Sequence, residues 1–275
     1  MSMKLPRIRP STLEQGQAKL AQWFLTPLGQ EFLKAEQALL EHILPDLFGY
    51  HALQLGQVTP CYLLHGSRIL HKLLADKQPS PVEGLSALCA VPEQLPFAND
   101  SVDVVLVHHL LEAVNRPHAI LREAARVTIP EGYLLIVGFN PWSLWGLWRF
   151  CQMPWSQNLG LTQSLSAQRL HDWLTLLDFE IVGVETAYFR PPINSPALRQ
   201  HLLWLEALGR RYWPQGGASY VMLAQKKSSC ITPIRLRQKM MSLVPSPLAT
   251  EARQKHPDLQ HKDAKPSQVL SNLKE

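Results

Sequence analysis

The clearest pattern lies between residues 91 and 148. Residues 102–107 (VDVVLV) are almost all apolar and β-branched, the run expected of a strand buried on both faces. Asn115 offers an N-cap and Pro117 suits a first helical turn. Ile120, Leu121, Ala124 and Val127 then recur at helical spacing. Pro130, Glu131 and Gly132 mark a turn, and residues 133–139 (YLLIVGF) repeat the buried-strand pattern. Strand, helix, strand in this order predicts a right-handed parallel crossover with ligands at the carboxyl ends of its strands. Those ends carry His108, His109, Asn140 and Pro141.

Upstream, Ser11 with Glu14 resembles a capping box, and Thr26 before Pro27 marks a second helix start. Leu20, Trp23 and Phe24 share one face of the first helix; Phe32, Leu39, Leu40, Ile43 and Leu47 share one face of the second. Such stripes pack on a sheet or cover a ligand crevice. Residues 51–55 (HALQL) predict a first strand ending at Gly56, and 68–74 and 85–90 are candidates for the next two. Ser166 caps a helix bearing Leu170, Trp173, Leu174 and Leu177, and residues 179–184 form another strand. An insertion at 190–217 contains a helix over 196–208, and residues 219–225 (SYVMLAQ) close the sheet.

Composition changes the picture mainly at the carboxyl end. Among 275 residues, 46% are hydrophobic, enough for one sizeable core with appendages. The net charge of +5 is uneven: from Lys226 onward ten Lys/Arg face four Asp/Glu, while the rest holds seventeen against eighteen. The tail is therefore basic and the globular part near neutral, which gives no strong nucleic-acid signal. The polar, proline-containing tail reads as disordered. Residues 231–243 (ITPIRLRQKMMSL) suit a short basic amphipathic helix, either docked on its own domain or touching an acidic partner or membrane surface. The expected organisation is a helical extension (1–49), an α/β domain (50–227) and a basic tail (228–275). No membrane span or secretory leader is expected, and Cys61, Cys89, Cys151 and Cys230 form no C-x-x-C pair. These features predict a reducing, cytoplasmic setting and no metal site.

The segments LPFANDSVDVVLVHHLLEAV, PHAILREAARV and PEGYLLIVGFNPWSLWG together resemble class I S-adenosylmethionine-dependent methyltransferases, in particular a bacterial type-11-like group. The resemblance covers about residues 50–226 and is specific over 95–146. It implies a Rossmann-like, doubly wound, mostly parallel seven-stranded sheet with an antiparallel closing strand. It also implies an S-adenosyl-L-methionine cofactor and a small-molecule or lipid acceptor. Fold alone does not give that activity.

The family's glycine loop lets the backbone approach the cofactor. Here Leu55, Gly56 and Gln57 match its start, but Val58 and Pro60 replace the later glycines and Gln54 replaces an acidic residue. That departure keeps a non-catalytic binding module open as the alternative. The resemblance assigns Asp76, about 20 residues beyond Gly56, to the ribose hydroxyls; a solvated surface Asp is the plainer option. Val91, Pro92 and Leu95 fall beside the adenine, where an acidic residue is commoner, and His108 ends the fourth strand. His109 falls near the methyl group, as base or acceptor orienter or as a hydrogen-bonded structural histidine. Side chains alternate along a strand, so one of the two histidines should face the crevice and the other a helix. Asn140 falls on the acceptor side. Trp142, Trp145 and Trp148 then form either an apolar lid or lipid contact, or ordinary helix packing.

Overall fold

The computed structural model describes residues 12–57, 63–80, 84–151, 164–193 and 195–228. Two helices, α1 (Thr12–Phe24) and α2 (Pro27–Ile43), precede the first strand, β1 (His51–Leu55). There follow β2 (His71–Asp76), β3 (Ser86–Cys89), β4 (Val102–His108), α3 (Pro117–Val127), β5 (Thr128–Phe139) and α4 (Leu144–Cys151). The chain continues through α5 (Ala167–Thr175), β6 (Phe179–Ala187), α6 (Pro196–His201), α7 (Trp204–Tyr212) and β7 (Ser219–Lys226).

The seven strands form one sheet in the order β3-β2-β1-β4-β5-β7-β6. β1 to β5 pair in parallel, and β7 runs antiparallel between β5 and β6. This is the Rossmann-like, mostly parallel arrangement expected. The order reverses between β1 and β4, so the ligand crevice belongs at their carboxyl ends, marked by Gly56 and His108. Strand alternation sorts the core into two layers. Leu53, Leu55, Val105 and Val107 pack with Ile120, Leu121, Leu170 and Leu174 on one face. Ala52, Val104, Leu106, Leu135 and Val137 pack with Leu20, Phe24, Phe32 and Leu40 of the N-terminal helices on the other. Each fully buried large side chain there contributes about 1.5–3 kcal/mol.

Both caps at Thr26 and Ser166 form: their hydroxyls accept from Gly29 N (3.1 Å) and Arg169 N (3.2 Å). Elsewhere the elements depart from expectation for local reasons. β2 starts at His71 rather than 68, because β1 begins at His51 and the two pair in register from that point. The Pro130–Gly132 turn lies inside β5 as a bulge: Val102 pairs with Thr128, Val104 with Tyr133, and Glu131 takes φ 66. Arg116, not Asn115, holds the N-cap position of α3, without a side-chain bond. The insertion folds as two short helices instead of one. Among the described residues, no helix is long and apolar enough to cross a membrane. The readings of Ser11, Val58, Pro60 and the tail lie outside the described residues.

Candidate functional site

β1 delivers Leu55 and Gly56 to the switch point. Gly56 has φ 77, a left-handed value that strains any residue with a Cβ. A Cβ there would also stand 3.1 Å from Leu110 Cδ1 and 3.3 Å from Gln17 Nε2. The Gly56 N–H donates to the Ala75 carbonyl (2.9 Å), which ties the loop to β2. Beside it, Asp76 is a buried carboxylate, not the solvated loop residue that its Lys77 neighbour suggests. Its Oδ2 accepts from Gln57 N (2.7 Å) and from Gln17 Nε2 (3.2 Å); its Oδ1 accepts from Gln78 N (3.0 Å). Gln54, buried next to Gly56, leaves Oε1 without a partner among the described residues.

β4 delivers the two histidines. Strand alternation fails here because His109 itself has φ 47. The turned backbone brings both rings to one carboxylate, Glu36 on α2. His108 Nε2 donates to Glu36 Oε2 (3.1 Å) and His109 Nε2 to Glu36 Oε1 (2.9 Å). His109 Nδ1 donates to Glu112 Oε2 (3.1 Å), and Glu112 Oε1 accepts from Phe139 N (2.6 Å). All four side chains are buried. Burial opposes charge on His109, but the Glu36 charge and hydrogen bonds to Glu112 and Glu36 push it up to about 9. Burial alone would raise Glu36, yet the His109 charge and both histidine hydrogen bonds bring it down to about 2. His108 is pushed down by burial and then by the His109 charge. The cluster therefore holds a carboxylate, an imidazolium and a neutral imidazole at neutral pH. Neither ring nitrogen of His109 is left to take a proton.

The remaining candidates separate. Val91 and Pro92 open the turn after β3, where the Val91 carbonyl accepts from Gln94 N (2.9 Å). The backbone of Leu95 is clamped by α3: its N–H donates to Glu123 Oε2 (3.0 Å) and its carbonyl accepts from Arg126 Nη2 (3.0 Å). Asn140 is a structural clamp as well as a wall residue. Its Nδ2 donates to the carbonyls of Gln215 (2.6 Å) and Gly217 (2.9 Å), and its Oδ1 accepts from Trp142 N (3.0 Å). Asn140 and Trp142 line a cavity of about 920 Å³ together with His171, Thr186, Trp213 and Tyr220. The tryptophan stripe divides: Trp142 is 75% exposed, whereas Trp145 is 2% exposed. Trp145 donates from Nε1 to the Arg190 carbonyl (2.8 Å) and packs edge-on against Trp23 and Tyr188. The expected lid or lipid contact is corrected at Trp145, which is core.

Sequence reasoning missed Glu36 and Gln17. Gln17 gives no signal. Glu36 gives one: Phe32, Glu36 and Leu40 stand at i, i+4 and i+8, so a carboxylate interrupts the buried stripe of α2.

Residues 49–136 match the family described as "Methyltransferase domain". The chain is 32% identical over 169 residues to an uncharacterized protein of Escherichia coli (strain K12), YafS, covering 62% of this chain and 69% of that one. The chain belongs to the class I S-adenosylmethionine-dependent methyltransferase family. Solved methyltransferases share the fold at low identity. One is an S-adenosylmethionine-dependent methyltransferase of Thermotoga maritima, with TM-score 0.56 and 20% identity, covering 78% of this chain and 98% of that one. Another is the N-methyltransferase NodS of Bradyrhizobium japonicum WM9 in complex with S-adenosyl-L-homocysteine, with TM-score 0.52 and 11% identity, covering 80% and 100%.

Proposed function

We propose that this methyltransferase-family protein binds S-adenosylmethionine at the β1/β4 switch point and methylates a small or lipidic acceptor. The observation that carries the reading is the pairing of Gly56 with Asp76. A left-handed glycine ends β1, and a buried carboxylate at the end of β2 is held against the next residue's N–H. These groups suit the cofactor: Gly56 supplies the left-handed turn such a loop needs, Asp76 can accept from ribose hydroxyls, and Gln54 Oε1 awaits a donor. Leu55, Gly56, Gln57 and Asp76 would hold the cofactor, with Val91, Pro92, Leu95 and His108 at neighbouring strand ends. When bound, the cofactor supplies a sulfonium methyl group for in-line displacement.

Such a displacement gains most from orientation, and the chain's own residues act accordingly. Asp76 holds the loop after β1 in place. His108 and His109 fix Glu36, and with it α2, against the end of β4. His109 is protonated in this arrangement, so it orients by charge rather than by removing a proton. Asn140 and Trp142 form the wall of the acceptor cavity, whose aromatic lining suits an apolar group.

The test is transfer of labelled methyl from S-adenosylmethionine into fractionated small-molecule and lipid extracts. Label should enter at least one fraction and be lost with Asp76→Ala. A folded protein that binds the cofactor but labels no fraction would remove the enzymatic reading. The second reading, a non-catalytic binding module, is favoured by one observation: the Gln17 amide already occupies Asp76. Failure to bind the cofactor at all would leave that reading.

A further inference from the structure

The cluster at the end of β4 also has the composition of a metal site. We propose that Glu36, His108 and His109 form a binding site for a divalent transition-metal ion of the zinc class, clasping α2 to the end of β4. Cysteine spacing gave no sign of it, because the site is built from two imidazoles and a carboxylate.

Three observations carry the inference. First, one ligand atom from each residue lies within 4.8 Å of the other two, and all three side chains are buried. His108 Nε2 lies 3.1 Å from Glu36 Oε2 and His109 Nε2 lies 2.9 Å from Glu36 Oε1, so the two rings face the two oxygens of one carboxylate. Zinc bonds of about 2.0–2.2 Å place adjacent ligand atoms roughly 3.0–3.5 Å apart, so small shifts would admit the ion. Two histidines and a glutamate are an established zinc ligand set. Second, the supporting groups are those that orient a metal-bound imidazole. The far nitrogen of His109 donates to Glu112 (3.1 Å), which is itself held by Phe139 N (2.6 Å). That arrangement keeps a proton on Nδ1 and turns Nε2 toward the common point. Third, His109 adopts φ 47 although it is not glycine. A regular strand would send adjacent rings to opposite faces. The left-handed turn brings both to one point, and such conformations persist where surrounding structure holds them for a purpose.

The rings of Phe24, Phe32 and Phe139 stand 5.6, 6.4 and 4.2 Å from that of His109, giving the cluster an aromatic wall. The ion's role is therefore to link elements: the two histidines stand 72 and 73 residues from Glu36 in sequence, and one ion joins them.

The experiment uses the full chain, stripped with a chelator, reloaded with zinc and passed through a desalting column. One zinc per chain should be retained. X-ray absorption of the loaded protein should show two imidazoles and an oxygen donor in the zinc shell. Glu36→Gln and His108→Asn should each lose the retained zinc. The exposed pair His51 and His71, whose Nδ1 atoms lie 2.7 Å apart, is the control. Zinc must survive in His51→Ala. No retained zinc in the folded parent overturns the inference, as does zinc lost in His51→Ala or a shell without two imidazoles. The absorption measurement needs no variant, so it decides even if Glu36→Gln fails to fold. Zinc would displace the Nε2 protons of His108 and His109 and take the place of the imidazolium against Glu36, while leaving the Gly56 and Asp76 site as it is. Zinc without cofactor binding sinks only the activity, and cofactor binding without zinc sinks only the clasp.

Discussion

Trp142 and Trp145 show how little a residue's identity says about its work. They share a type and a helical spacing, yet one faces solvent and the other sits among Trp23, Phe32 and Tyr188. Trp145→Ala should therefore cost about 3–5 kcal/mol, since it empties an aromatic site. Trp142→Ala should stay within about 0.5 kcal/mol, as exposed substitutions usually do. Urea unfolding of the two variants checks this, and equal costs would contradict the packing described. The helical spacing was legible in the sequence; which tryptophan turned inward depended on α1, which supplies Trp23 from far along the chain. Asp76 shows the same limit. Its distance from Gly56 pointed to the ribose position, but Lys77 beside it suggested a surface loop. Only β2 pairing with β1 carries the carboxylate into the crevice. Glu36 was the reverse case, readable as a break in an apolar stripe but without a visible partner until β4 and α2 met.

At the scale of elements, the N-terminal helices govern the crevice. α1 reaches Asp76 through Gln17, and α2 reaches both histidines through Glu36. The sequence showed that both helices were amphipathic and left open whether they packed on the sheet or covered the crevice; they pack on the sheet, and Gln17 and Glu36 reach Asp76 and the two histidines. Gln17 competes for the Asp76 oxygen that a ribose hydroxyl would use. Gln17→Ala should therefore tighten S-adenosylmethionine binding. Removing one hydrogen bond worth about 0.5–1.5 kcal/mol corresponds to roughly a 2- to 12-fold gain. Competition binding against S-adenosyl-L-homocysteine measures it. Weaker binding in this variant would mean that Gln17 is a cofactor contact. The crossover from β4 through α3 to β5 was the most legible part of the fold, because buried strands and a proline-started helix leave strong local patterns. β2 and β3 were least legible: both are short, and β3 is mostly exposed, so register with neighbours rather than composition sets their limits.

At the scale of the whole molecule, the sheet order puts Gly56, Asp76, His108 and Asn140 at strand carboxyl ends around one switch point. That convergence is what the family fold provides, and it is where the proposed cofactor site lies. Titration calorimetry of the full chain with S-adenosylmethionine tests it most directly, alongside Asp76→Ala and Gly56→Val, with melting curves to confirm that all three proteins fold. The parent should show saturable one-to-one binding. Asp76→Ala should weaken it by at least tenfold, the loss of about 1.4 kcal/mol expected for a hydrogen bond to a charged acceptor. Gly56→Val should abolish it, because the side chain presses on Leu110 and Gln17 and strains a left-handed backbone, which shifts the loop. No heat from the folded parent, or parent-like binding by Gly56→Val, would rule out a cofactor site at this switch point.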